Sequence, residues 1–232
     1  MSEPSLEQLS PTEPLPWEEP SRQKLPALVE TVKLVLLQPR EAFRRMNREL
    51  PASRALLFAL AVAWPSVTLG FLVALLLQLG ELAVASAFFK ETFGPDLTQP
   101  FLWGVPVLLI FSGLVVLLPP IFLVLSLAVN SLMFHLFLLL FGAGTRGLGT
   151  TFRVLAYSQA TAIFYVVPVA GGLVAFFWQL LVTILGLAAA HGASETRTAW
   201  AVLTPFLLAC ACLVLGILFL AGSAVVNALG GP

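Results

Sequence analysis

The chain has 232 residues, 59% hydrophobic and 10% charged, with a formal net charge of zero. Ordinary soluble domains carry about 25% charged residues, so the composition excludes most water-soluble enzyme classes and points to an integral membrane protein. The zero is an average: residues 1–20 hold five acids and no base, residues 21–54 eight bases and three acids, and the remainder four of each.

Residues 1–25, rich in Pro, Glu and Ser, predict a disordered leader. They have neither a basic start nor an apolar run, so no secretory signal peptide is expected. Residues 26–50 predict amphipathic, basic, membrane-proximal helices. From Pro26 to Leu37, Leu28, Val29, Val32, Val35 and Leu36 recur at helical spacing. Pro39 starts a second short helix, with Phe43 and Met46 on one side and Arg40, Arg44, Arg45 and Arg48 around them. An apolar face rimmed by arginine suits the surface of an anionic leaflet. It equally suits a helix packed on the membrane bundle.

Residues 51–230 predict the transmembrane domain. Ala55 to Leu79 carries no ionisable side chain, and about 20 apolar residues suffice to cross the hydrocarbon core. A loop with Glu81, Lys90, Glu91 and Asp96 is expected next. Phe101 to Phe141 is a 41-residue, mostly apolar run without Asp, Glu, Lys or Arg, broken only by Pro119-Pro120. As one helix it would be roughly 60 Å long, about twice the core thickness. It crosses once with a kink at the prolines, or twice with a turn there. Further spans are expected at 152–167, 171–190 and 200–226.

Charge separates the two topologies, because Lys and Arg prefer cytoplasmic loops. The basic leader puts the N-terminus inside. A single crossing keeps Arg146, Arg153 and Arg197 inside, whereas a double crossing moves all three outside. The expected fold is therefore an all-α integral membrane bundle of five transmembrane helices, with six as the alternative, preceded by a short amphipathic cytoplasmic helix.

Few residues suggest chemistry. Gly142, Gly144 and Gly147 match G-x-G-x-x-G, but a dinucleotide site needs a preceding strand and an acid about 20 residues on. Here an apolar helix precedes, so a flexible turn is the better reading. Cys210 and Cys212 are two apart, on different sides of a helix, and are not expected to pair. His135 and His191 are the only histidines and are expected at the same membrane side. They suit interhelical hydrogen bonding, or a metal or proton role for which acidic or thiolate partners are missing.

Asn130, Ser131, His135, Arg153, Tyr157, Gln159, Thr161 and His191 all map to the cytoplasmic half of the expected spans. They read as glue between helices, or as a shallow cytoplasmic-facing interaction site charged by Arg146 and Arg153. Pro168, Gly171 and Gly172 predict a hinge, since glycine tolerates positive φ. Gly186 and Ala190 form a small-xxx-small pair that permits close helix approach.

The C-terminal half resembles the Yip-domain family of polytopic membrane proteins, named for interaction with Ypt/Rab GTPases. The residues that carry the resemblance are Phe152 to Ser158, Pro168 to Gly172, Trp178, Gly186-Leu187, Ala190-His191 and Trp200 to Pro205. Upstream, Leu36-Leu37-Gln38-Pro39, Ala42-Phe43 and Met46 look like the family's entry segment. The resemblance covers roughly residues 28–220. It implies five transmembrane helices with a cytosolic N-terminus. It also implies roles in vesicle traffic or membrane shaping for eukaryotic members and no settled role for the bacterial-type members that this compact chain looks more like, which would sit in a bacterial cytoplasmic membrane.

These readings favour a non-enzymatic membrane organiser or adaptor that binds a partner protein or lipid on its cytoplasmic face. The alternative is a small transporter or channel for an uncharged solute, since coupled transporters usually bury ionisable residues mid-span and none lies there. No cofactor, metal or nucleic acid is expected. Membrane lipids, a protein partner or a second copy of the chain are.

Overall fold

The computed structural model describes residues 13–94, 106, 109–114, 116–168 and 170–229. Residues 1–12 of the expected leader, Asp96, Val169 and Gly230 lie outside the described residues. The described residues include seven α-helices: α1 (Lys24–Leu37), α2 (Pro39–Arg45), α3 (Ala52–Phe93), α4 (Pro119–Leu140), α5 (Gly147–Ser158), α6 (Ala170–His191) and α7 (Glu195–Leu229); residues 109–114 are helical as well. Two 3-10 stretches accompany them, Pro16–Glu18 and Gln159–Val166. Four helices, α3, α4, α6 and α7, are long and apolar enough to cross a membrane.

Local sequence sets most boundaries. Pro39 opens α2 and Pro51 caps α3, positions where a missing N–H costs nothing. Gly94, with φ of 91°, closes α3. Gly142, with φ of 66°, ends α4, and the Ala143 N–H then donates back to the Leu138 carbonyl at 2.7 Å. That left-handed cap explains the glycine-rich turn.

The centre of the bundle is α5 with the 3-10 stretch that follows it. Thr150, Thr151 and every residue from Val154 to Ser158 are buried. Around this segment pack α3, α4 and α6, while α7 lies along α4 and α6, and α2 along α6. Phe43, Phe58, Leu127, Leu138, Tyr157 and Leu187 are among the fully buried side chains.

Several expectations change. The leader is ordered from residue 13 onward: Leu15 is fully buried and Glu18 is 4% exposed. Composition suggested disorder, but Leu15 and Trp17 find apolar partners in the bundle. The loop expected from Glu81 is helix as far as Phe93. Its alanines and leucines favour helix, and three dispersed charges do not break one. At about 1.5 Å per residue α3 is roughly 63 Å long, about twice the hydrocarbon thickness.

Pro119-Pro120 is not a reverse turn. Leu118 keeps right-handed helical dihedrals and its N–H donates to the Leu114 carbonyl at 2.9 Å. Pro120 has no N–H for the Val116 carbonyl, and the Trp64 indole donates to that oxygen instead, at 3.0 Å. Thus α3 satisfies the acceptor that the proline orphans.

The segment expected as one span at 152–167 changes character at Gln159, from α-helix to 3-10. Beyond that point its backbone runs close to two glycines: a Cβ at Gly70 would lie 2.0 Å from the Tyr165 carbonyl oxygen, and one at Gly171 2.0 Å from that of Phe164. The described positive-φ glycines are Gly94, Gly142, Gly147 and Gly192. Gly171 is therefore needed for close approach, not for a left-handed turn, and Gly172 has room for a side chain. Pro168 precedes α6, as a helix start favours.

Candidate functional site

The residues singled out by sequence fall into two neighbouring clusters and a basic rim. The first cluster joins the ends of α4, α5 and α6. His135 Nδ1 lies 3.0 Å from Thr151 Oγ1, and the same hydroxyl lies 3.1 Å from His191 Nε2. The Arg146 backbone N–H donates to His191 Nδ1 at 3.1 Å. An N–H can only donate, so His191 Nδ1 accepts and its proton sits on Nε2. That proton goes to Thr151, whose hydroxyl donates onward to His135 Nδ1. The Arg146 N–H thereby sets the His191 tautomer and Thr151 relays it to His135, with the ring centroids 6.1 Å apart. Thr145 adds a hydroxyl bond to the His191 carbonyl. Among the described residues no group of three or more His, Cys, Asp or Glu side chains converges on a metal position.

The second cluster was not legible as a unit. Arg153 and Tyr157, four apart on α5, face the leader. Tyr157 donates to Glu18 Oε1 at 2.9 Å, and the Asn47 N–H donates to Glu18 Oε2 at 2.8 Å. Arg54 donates to the Glu18 carbonyl at 2.8 Å. Burial pushes the Glu18 carboxyl above its ordinary value of 4.5, against the opposing pull of the Asn47 N–H, the Tyr157 hydroxyl and the charges of Arg153 and Arg54. Arg153 also donates to the carbonyls of Leu50, at 2.6 Å, and Gly149, at 2.9 Å.

Trp17 completes this latch. Its indole donates to the Arg54 carbonyl at 3.0 Å, and its ring meets Phe58 edge-on with centroids 5.9 Å apart. Phe58 in turn packs on Tyr157 at 5.0 Å. Sequence reasoning missed Trp17 and Glu18. The signal was an aromatic beside an acid, Pro16-Trp17-Glu18, in an otherwise polar leader.

The α1–α2 unit turns its apolar side inward. Phe43 is fully buried and Met46 is 3% exposed. The Phe43 ring occupies the space of the missing Gly186 side chain, where a Cβ would lie 2.5 Å from Cε2. The Trp178 indole donates to the Leu36 carbonyl at 3.1 Å. Of the two sequence readings, the geometry puts Phe43 and Met46 against protein.

The arginines stay at the rim. Arg40 binds Glu195 with both nitrogens, at 2.5 and 2.9 Å, joining α2 to the start of α7. Arg45 pairs with Glu41 at 2.7 Å, one turn earlier. Arg44, Arg146 and Arg197 are exposed and, among the described residues, make no ion pair. Arg48 is half-buried with an unpartnered Nε. Arg40 and Arg44 line a hollow of about 190 Å³ with Gly192 and Glu195. The Arg146 guanidinium lies beside Gly192, and that of Arg197 beside Gly142.

No curated protein and no solved structure matches this chain. The model of the Yip1 domain matches residues 33–218, from α1 through most of α7. That interval contains every helix packed around α5, the α2–Gly186 contact and the linked histidines, and the chain belongs to the Yip1-domain family of membrane proteins.

Proposed function

We propose that this protein is a non-enzymatic, multi-pass membrane organiser whose basic end faces the cytoplasm and binds an anionic partner, either lipid head groups or an acidic protein segment. The observation that carries the reading is the gathering of Arg44, Arg146 and Arg197, unpaired, from three segments far apart in sequence. Such a surface attracts negative charge. Positive charge on one membrane side marks that side as cytoplasmic, so the N-terminus is inside. We read residues 147–166 as a fifth crossing. Twelve α-helical and eight 3-10 residues rise at most about 34 Å, comparable with the hydrocarbon core.

The test is photocrosslinking in native membranes from positions 44 and 197, in the otherwise unaltered chain and in one carrying Arg44→Glu, Arg146→Glu and Arg197→Glu. Discrete protein or anionic-lipid adducts should form in the first and vanish in the second. Identical adducts in both would remove the basic end from the function.

A further inference from the structure

A second feature lies away from the basic end. A cavity of about 300 Å³ opens between α4, the 3-10 stretch, α6 and α7. Pockets that hold small ligands begin at roughly that size. Asn130, Gln159, Thr161 and Gln179 line it, and no charged side chain does.

Its amides are incompletely used. Thr161 Oγ1 lies within reach of both the Ser158 carbonyl, at 3.0 Å, and Gln179 Oε1; its single proton serves one of them, and the Gln179 amide keeps at least one proton free. The side chains of Asn130 and Gln159 hydrogen-bond to no described residue. Asn130 sits midway along α4 and Gln179 midway along α6. Each is about 15 Å from either end of its helix, and an unpaired polar group among apolar helices is costly.

The mouth faces sideways. Ser126, Tyr165 and Phe176 line it and are exposed on the outer surface of the bundle. Phe206, itself exposed, borders the cavity from α7, with its ring 6.2 Å from Phe134 and 6.1 Å from Phe176.

We propose that this cavity binds the glycerol moiety of an uncharged glycerolipid of the diacylglycerol class, entering laterally from the bilayer. Three observations select that chemistry. The lining supplies donors and acceptors without charge, so it suits hydroxyl and ester groups and offers no counter-ion to a phosphate. The place beside mid-helix residues of α4 and α6 suits a neutral lipid better than a charged head group, which stays at the interface. The lateral mouth leaves two acyl chains among the surrounding tails, against Tyr165 and Phe176. Free glycerol shares the head-group chemistry but lacks the chains.

The test uses the full-length chain in lipid nanodiscs with a photoreactive, alkyne-tagged diacylglycerol. Labelling should saturate, map to the segments around Gln159 and Gln179, and be displaced by dioleoylglycerol. Dioleoylphosphatidylcholine and free glycerol should not displace it. Asn130→Leu and Gln179→Leu should each weaken labelling about fivefold, the loss of one neutral hydrogen bond. Ser126→Phe fills the mouth from an exposed position and should block labelling with folding intact. Labelling that never saturates, or that phosphatidylcholine displaces equally, would reduce the cavity to ordinary lipid contact. Displacement by free glycerol would replace the lipid with a small solute. Unchanged labelling in Ser126→Phe would overturn the mouth and the proposal with it.

Discussion

Tyr157 donates its phenolic O–H to Glu18 Oε1 at 2.9 Å, tying the central helix to a carboxylate 139 residues earlier in the chain. Both groups are buried, and the acid is satisfied only while Tyr157 and the Asn47 N–H stay in place. Tyr157→Phe should therefore cost about 1.5–3 kcal/mol, the range for a hydrogen bond to a charged group. Thermal unfolding in detergent measures it. In Glu18→Gln the same tyrosine substitution should cost less, and equal losses in both backgrounds would show that the two groups are not coupled.

The same carboxyl sets a pH dependence. Burial holds it above its ordinary value of 4.5. Between that value and the raised one the folded chain binds more protons than the unfolded chain. Its contribution is fully present below 4.5 and lost as pH rises through the folded value. The melting temperature should rise as a neutral sample is acidified toward pH 4.5, and Glu18→Gln should flatten that rise. A parallel rise in Glu18→Gln would assign it to other groups.

The α2–α6 contact depends on an absent side chain. Gly186→Ala places a Cβ against the buried Phe43 ring and should cost about 1–3 kcal/mol by overpacking. Limited proteolysis near Asn47 should quicken as α1 and α2 loosen. Adding Phe43→Leu should restore resistance, and failure of that rescue would break the assignment.

Two adjacent glycines should behave differently. Gly171→Ala collides with the Phe164 carbonyl and should destabilise the bundle strongly. Gly172→Ala has space and should be neutral, or stabilising by about 0.5–1 kcal/mol through helix propensity. Equal losses at both positions would return the pair to a hinge that needs glycine for its backbone freedom.

Topology is open to a direct measurement. A reporter active only outside the cytoplasm should fail when fused at Gly144 and work when fused at the C-terminus. The reverse at both sites would replace five crossings by six.

Much of the architecture is legible because its signals are local. Pro39 and Pro51 announce helix starts, Gly142 ends α4, and the apolar runs identify α3, α4, α6 and α7. The rest depends on partners distant in sequence. Glu18 reads as one more acid in a polar leader until Tyr157, Asn47 and Arg54 surround it. Gly70 reads as a tolerated glycine in a membrane helix until the Tyr165 carbonyl approaches it. The shift to 3-10 geometry at Gln159 leaves no mark in hydropathy, since every residue from Ala160 to Val166 except Thr161 is apolar or aromatic. The two histidines could be placed on one side by topology, but the threonine that links them could not.

The seat of Phe43 against Gly186 has a consequence for how the protein is made. Phe43 leaves the ribosome 143 residues before its receptor exists, a delay of roughly 7 to 30 s at ordinary rates of synthesis. Throughout that interval Phe43 lacks the seat that Gly186 gives it, while four arginines stand close by. An anionic leaflet surface would suit such a segment while α6 is still being inserted. The seating of Phe43 is then a late step of assembly, complete only when the helix carrying Gly186 arrives.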